Sequence, residues 1–401
     1  MEGTEPQEIS RLLEALRVPR ELTRSYASSQ ERDGARAEFL ASSREALVAL
    51  RTALVSGKWE EPREREVIST LATFACGEVE WTTDELGEIA VSAIDCLGSS
   101  RQQLVLDHLR ELLLEIHASL RHGTREATAQ SLYEEGHSSH DASNDIVLAH
   151  QMSWILSQIG HPHLGKHCQI IMPCVLTALD HYSPPIKRQG LECCLHLEQG
   201  MNSTELRWYK DVLLDAVCQN IAGCDELWPL VVKTAVRLVT RIEGRNARSP
   251  WYRKILAEML GELERHPDDK EKPNVFLQEI GPQLKAMGLV LVALFKRLFA
   301  LLFYWLDTGD KRTSILVLSC LRAVITHTWI RIPHLANSIW EQAVKLHCKV
   351  ADLEVRAAVA ETACYLIECV GPEILETHQD DVELVAAVKS IKAYEAQTPK
   401  T

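Results

Sequence analysis

Along most of the chain the buried-type positions return every three to four residues: Ile9, Leu12, Leu13 and Leu16, then Leu106, Leu109, Leu113, Ile116 and Leu120, then Val355, Ala358, Val359, Thr362 and Leu366. A period of about 3.6 gathers such residues on one helix face, whereas a half-buried strand needs strict alternation. No clean alternating run sits between Asn-Gly or Asp-Gly turns, so a sheet has no source here and the fold class predicted is all-α. The helical spacing lapses at 122–145 (HGTREATAQSLYEEGHSSHDASND), where apolar residues almost vanish and Ser143 or Asn144 is placed to cap a helix starting at Ile146. The expected layout is an irregular helical region at 1–121, a linker or long loop at 122–145, a helical-repeat region at 146–393 and a flexible tail at 394–401. Charged, proline-containing segments at 244–250 and 266–274 read as surface loops.

Segment 173–197 (PCVLTALDHYSPPIKRQGLECCLHL) reads as an apolar helix, an aspartate, a proline-containing turn, a β-branched residue, a basic residue and a second apolar helix. The second half recurs at 352–371 (DLEVRAAVAETACYLIECVG) and a looser copy at 302–324, while 91–116 keeps the helix-turn-helix layout without the aspartate. This is the pattern of an α-solenoid of HEAT or armadillo type (ARM-type fold), with about 40 to 47 residues per repeat. The aspartate and the basic residue after the turn can bond loop amides and each other between neighbours, and stacking is obligatory because one helix pair cannot bury its own apolar face.

Composition agrees with long helices and brief connections: of 401 residues, 46% are apolar and 25% charged, with only 19 glycines and 15 prolines. Disordered, collagenous and disulfide-knot classes are excluded. The net charge of -13 has its basic residues interleaved with acidic ones, so nucleic acid is not an expected partner. Twelve cysteines without a CxxC pair read as reduced thiols, the expected location is cytoplasmic and nuclear, and the polar start MEGTEPQEIS carries no secretory leader. The apolar run 288–306 has Lys296 and Arg297 at its centre, so it reads as one or two buried helices and no membrane contact is expected.

Chemistry-bearing motifs are sparse. The stretch 160–167 (GHPHLGKH) fits G-x-x-x-x-G-K, but His167 stands where a phosphate loop needs a Ser or Thr hydroxyl, and the preceding residues read as helix rather than strand. His161, His163, His167, Cys168 and Cys174 are zinc-competent types without the paired spacing of a closed site. A metal- or nucleotide-binding role for 161–174 is therefore the remote alternative, against solvated histidines on an inter-helix turn with Gly160 as C-cap and cysteines packed as small apolar groups. No GxSxG, HExxH, GxGxxG or EF-hand loop occurs, so neither an enzyme nor a cofactor is expected. Asn202 reads as a helix N-cap. Most of the nine tryptophans are expected in the core, while two lie beside arginines and are candidate interface anchors: Trp251 with Arg248 and Arg253, and Trp329 with Arg331.

Segment 206–267 (LRWYKDVLLDAVCQNIAGCDELWPLVVKTAVRLVTRIEGRNARSPWYRKILAEMLGELERHP), with 288–306 and 327–331 (HTWIR), resembles the Tel-two-interacting protein two family in a plant-like form, over roughly 170–331 and hardly at all in the N-terminal third. The resemblance implies a HEAT-type scaffold subunit of the Triple T complex, with Tti-one-like and Tel-two-like partners. It also implies work with the Hsp-ninety chaperone machinery to stabilise client phosphatidylinositol 3-kinase-related kinases, among them the TOR kinase and the DNA-damage and telomere checkpoint kinases. The family has no catalytic motif to carry over. A generic HEAT adaptor, such as a transport receptor or phosphatase scaffold, is the alternative reading.

Overall fold

The computed structural model describes residues 5–23, 29–56, 63–77, 79–98, 100–131, 142–223, 225–244, 246–378 and 381–397. Among them the secondary structure is helical, with one isolated bridge between Val79 and Thr82, so the all-α class holds. The chain divides into two compact units, residues 1–209 and 210–401.

The first unit contains α1 (Glu5–Ala15), α2 (Ser29–Val55), α3 (Glu64–Ala75), α4 (Asp84–Asp95), α5 (Arg101–Ser131), α6 (Ser143–Ser157), α7 (His163–Lys166), α8 (Cys168–Asp180), α9 (Pro184–Gly200) and α10 (Ser203–Arg207). The linker expected at 122–145 does not divide the molecule where the polar composition suggested: α5 runs ten residues into it, and α6 packs against α3, α5 and α9 within one unit. Residues 132–141 lie outside the described ones. Helix α6 starts at Ser143, and Ala142 takes the N-cap position with no side-chain cap bond, so neither Ser143 nor Asn144 caps it. A buried amide cross-links α3 to α6: Gln151 Nε2 donates to Thr73 Oγ1 at 2.7 Å while its Oε1 accepts from Ser69 Oγ at 3.1 Å. Helices α8 and α9 form the helix-turn-helix pair predicted at 173–197, and they approach so closely at Gly190 that a Cβ there would stand 3.1 Å from the Leu179 backbone nitrogen.

The second unit contains α11 (Lys210–Gln219), α12 (Trp228–Glu243), α13 (Pro250–Arg265), α14 (Glu271–Glu279), α15 (Gly281–Met287), α16 (Phe295–Thr308), α17 (Lys311–Thr328), α18 (Ala336–Lys349), α19 (Leu353–Val370), α20 (Glu373–Thr377) and α21 (Val382–Gln397), with 3-10 segments at Gly288–Leu294 and Trp329–His334. Its helices pack in two rows. One runs α11, α13, α16, α18, and the other α12, α14 with α15, α17, α19, α21. Gly281–Thr308 and Lys311–His334 are apolar and long enough to cross a membrane by length and composition. Here both contribute to the core of this unit, through Leu291, Leu298, Leu302, Val317 and Leu321, and the first turns at Gly288, whose φ of 49° suits a residue without a side chain.

An aspartate at the N-cap (Asp310, Asp352) or one residue before it (Asp269) serves three helices of the second row. Asp269 Oδ1 accepts from the Glu271 and Lys272 amides at 2.8 and 2.9 Å, Asp310 Oδ1 from the Thr313 amide at 2.8 Å, and Asp352 Oδ1 from the Glu354 and Val355 amides at 3.0 and 3.3 Å. Each satisfies amides that a helix start leaves without an intrahelical partner. The three lie 41 and 42 residues apart. Basic residues tie one turn to its neighbour: Lys311 Nζ reaches Asp352 at 2.9 Å and Glu354 at 2.7 Å, and Lys272 Nζ reaches Asp225 at 2.7 Å. The role expected for an aspartate and a base between neighbouring helix pairs is thus the one they take here.

Because the atom facing Gly190 is backbone, the neighbouring helix must shift to admit a side chain. Gly190→Leu is expected to cost about 1–3 kcal/mol of stability by overpacking, read as a lower denaturation midpoint with an unchanged slope.

Candidate protein-interaction surface

The histidine and cysteine cluster does not assemble a site. Residues 161–167 form a turn and the short α7, and Cys168 and Cys174 are buried on α8. Burial pushes their thiols up to about 11 and about 12, away from the thiolate form a metal needs, and Cys174 Sγ donates to the Leu113 carbonyl. The cap of α6 is Gln158, and Gly160 instead accepts from the His163 amide in the turn beyond it. Gly165, the second glycine of the phosphate-loop-like run, lies against the Glu205 carboxylate, which would repel a phosphate. Glu205 also closes a capping box with Asn202, the N-cap read from the sequence.

Two constellations that the sequence did not indicate are structural. Ser119 Oγ donates to Asp145 Oδ1 at 2.9 Å, and Asp145 Oδ2 lies 3.9 Å from His181 Nε2. Here the carboxylate stands between serine and histidine, whereas a base must touch the nucleophile itself, and His181 has no exposed surface. Among the described residues, three metal-competent ligand atoms converge at Asp225, Glu262 and His266. The place of a cation is taken there by the ammonium of buried Lys272, 2.7 Å from Asp225 and 2.8 Å from Glu262, with Arg265 Nη2 at 2.6 Å from Glu262. Burial alone would raise Glu262 and lower Lys272. The hydrogen bonds among Lys272, Arg265, Glu262 and Asp225 outweigh it, so the glutamate is held below and the lysine above their usual ranges. The Trp228 indole Nε1 donates to the Lys272 carbonyl at 3.1 Å, so this junction ties α12, α13 and α14 together. A cavity of about 280 Å³ lies near it, lined in part by Pro267, Asp269, Tyr304, Trp305 and Asp310. Asp269 and Asp310 are engaged there as helix caps and not as a catalytic pair.

Of the eight tryptophans with described side chains, Trp81, Trp154, Trp228, Trp305 and Trp340 are buried, Trp251 is half-buried, and Trp208 and Trp329 are exposed. The two proposed anchors differ. Trp251, at the start of α13, donates from its indole Nε1 to Asp211 Oδ1 of α11 at 2.9 Å. Lys254 Nζ lies 4.7 Å above its ring and pairs with Asp215 at 2.6 Å, so this side chain fastens α13 to α11, while its neighbours Arg248 and Arg253 are exposed. Trp329 is 60% exposed and opens the 3-10 segment after α17, followed by exposed Ile330 and Arg331. Its carbonyl accepts from Cys369 Sγ, which fixes the backbone while the indole faces outward. The two sets occupy different elements. Sequence reasoning passed over Leu289 and Ile330, since neither stands out from the apolar runs around it.

Losing Lys272 would leave buried Glu262 with Arg265 as its remaining cation and one carboxylate oxygen without its buried donor, so Lys272→Met is expected to destabilise the protein by about 1.5–3 kcal/mol. The depressed Glu262 contributes stability that is whole above the usual glutamate range and disappears as pH falls through its folded value. The raised Lys272 contributes stability that is whole below the usual lysine range and disappears as pH rises through its own folded value. Urea denaturation across pH should show wild type and Lys272→Met converging at both extremes; a constant gap would refute this assignment.

Residues 67–221 match the Tti2 family. The chain is 46% identical over 202 residues to an Arabidopsis thaliana protein described as uncharacterised, covering 50% of this chain and 46% of that one. It is 22% identical over 228 residues to human TELO2-interacting protein 2 (52% and 43% covered) and 23% identical over 251 residues to its mouse counterpart (58% and 48% covered). The matches thus span under half the length of these relatives. The resemblance read from the sequence is upheld. The matched segment, however, starts well inside the N-terminal third and ends at residue 221, so it takes in only the beginning of 206–267.

Proposed function

We propose, from the match of residues 67–221 to the Tti2 family, that the chain is a non-enzymatic helical-repeat adaptor, the Tti2-type subunit of a Triple T assembly. It binds Tti-one-like and Tel-two-like proteins and acts with the Hsp-ninety machinery, in cytoplasm and nucleus, to stabilise phosphatidylinositol 3-kinase-related kinases. Its clients are the TOR kinase and the DNA-damage and telomere checkpoint kinases. The family match is the observation that carries this reading, and the names of the human and mouse relatives, which record an interaction with TELO2, support it. The HEAT-type assignment is supported by the two helix rows of residues 210–401 and by capping aspartates 41 and 42 residues apart, inside the repeat length of about 40 to 47 residues that HEAT and armadillo arrays use.

A tagged chain purified from its own cells should bring down a Tti-one-like and a Tel-two-like protein; recovery of neither would overturn the proposal. Depletion should lower the steady-state amount of several such kinases without lowering their messenger RNA. Unchanged kinase levels in cells lacking the chain would remove the co-chaperone role and leave a plain adaptor.

A further inference from the structure

The chain is acidic overall, with about one residue in seven Asp or Glu, yet the 27 residues of 280–306 and the 30 residues of 311–340 contain none. The fold brings these two acid-free stretches together. The 3-10 segment Gly288–Leu294 packs on α17, and a Cβ on Gly288 would lie 3.9 Å from the His327 carbonyl, near the end of α17. Leu289 is 53% exposed on one stretch, and Trp329 and Ile330 are 60% and 53% exposed on the other.

These stretches carry seven cations, of which Lys296 and Arg312 are exposed and make no ion pair among the described residues. Arg297, Lys311 and Arg322 each pair with acids of a neighbouring helix, at Glu264 (2.7 Å), Asp352 and Glu354 (2.9 and 2.7 Å) and Glu361 (3.3 Å). Lys285, just before the apolar trio, and Arg331, just after it, are exposed and have no ion-pair partner among the described residues. The charge of Lys285 also adds to burial in holding His327 below its ordinary value, so the neighbourhood is locally positive.

We propose that the surface made by Leu289, Trp329 and Ile330, flanked by Lys285 and Arg331, docks an acidic amphipathic helix of a protein partner. Such a helix lays an apolar stripe on the three exposed side chains and presents carboxylates to the two cations, with Arg331 able to hold one by two parallel hydrogen bonds. Exposed tryptophan and arginine side by side are the residue types that dominate protein interfaces. The two cations that flank the apolar trio are too few to track a phosphate backbone, which needs a run of them. The inference rests on the adaptor reading above and deepens it by naming the surface the partner presents. It stands on residues 280–340, outside the matched segment 67–221.

The test uses the full chain and a labelled synthetic helix carrying Leu at positions i, i+3, i+4 and i+7 with Glu elsewhere. Its mirror peptide has Lys in place of Glu, and vesicles of phosphatidylcholine with phosphatidylserine serve as a third probe. Fluorescence anisotropy should show the acidic helix binding, more weakly as salt rises, and the basic peptide failing to bind. Trp329→Ala, and separately Lys285→Glu with Arg331→Glu, should each weaken binding about tenfold. All three side chains are exposed, so the thermal melts of the variants should match wild type. Equal binding of the two peptides, binding indifferent to these variants, or Trp329-dependent binding of vesicles in place of the peptide would overturn the inference. A chain that recovers no Tti-one-like partner from cells yet takes the acidic helix through Trp329 would remove the adaptor reading alone. Partner recovery undiminished by these variants would remove the docking surface alone.

Discussion

A helix pair has more apolar surface than it can cover by itself, and in residues 210–401 the remainder is covered by the next pair. The row α12, α14 with α15, α17, α19 and α21 exists because its members bury side chains against their neighbours: Val231 and Val239 of α12, Phe276 of α14, Val317 and Leu321 of α17 and Val359 and Leu366 of α19 are all buried. Polar features follow from this requirement. Once helices stack, the turns between them lie near one another, and the first amides of the helices that follow need acceptors. Asp269, Asp310 and Asp352 supply them, and Lys311 joins the last two of these turns.

The Asp225, Glu262 and Lys272 junction shows how such an array handles charge in its interior. Lys272 and Glu262 are both withdrawn from water, which each alone would resist, and they persist because each completes the coordination of the other. That is also why a cluster with the composition of a metal site behaves as a structural clasp: the ammonium already occupies the position where positive charge is favourable.

Much of this was legible in the sequence. Helical spacing gave the class, the Asp-turn-base pattern gave the turns at 310 and 352, and Asn202 was visible as a cap because capping is local. Features set by contacts between distant positions were not legible. Nothing near 131 says that α5 continues past a composition poor in apolar residues. The chain also divides after Tyr209, in the middle of a segment whose periodicity suggested continuity. Lys272 looked like one more surface charge in HPDDKEKPN, since its partners lie 10 and 47 residues away. Trp251 and Trp329 looked alike beside their arginines, and only Asp211, 40 residues upstream, makes one a fastener and leaves the other outward.

The regular spacing of the capping aspartates has a consequence for how the C-terminal unit comes apart. Where helices of a row are held by their immediate neighbours, free energy is stored in the contacts between neighbours, and a helix with fewer of them opens more readily. Helix α17 packs against α14, α15, α16 and α19, whereas the neighbour of α21 is α19. Amide exchange should therefore grade from fast in α21 to slow in α17. The surface at Leu289 and Trp329 lies on the slow side of that gradient, on segments packed against α17.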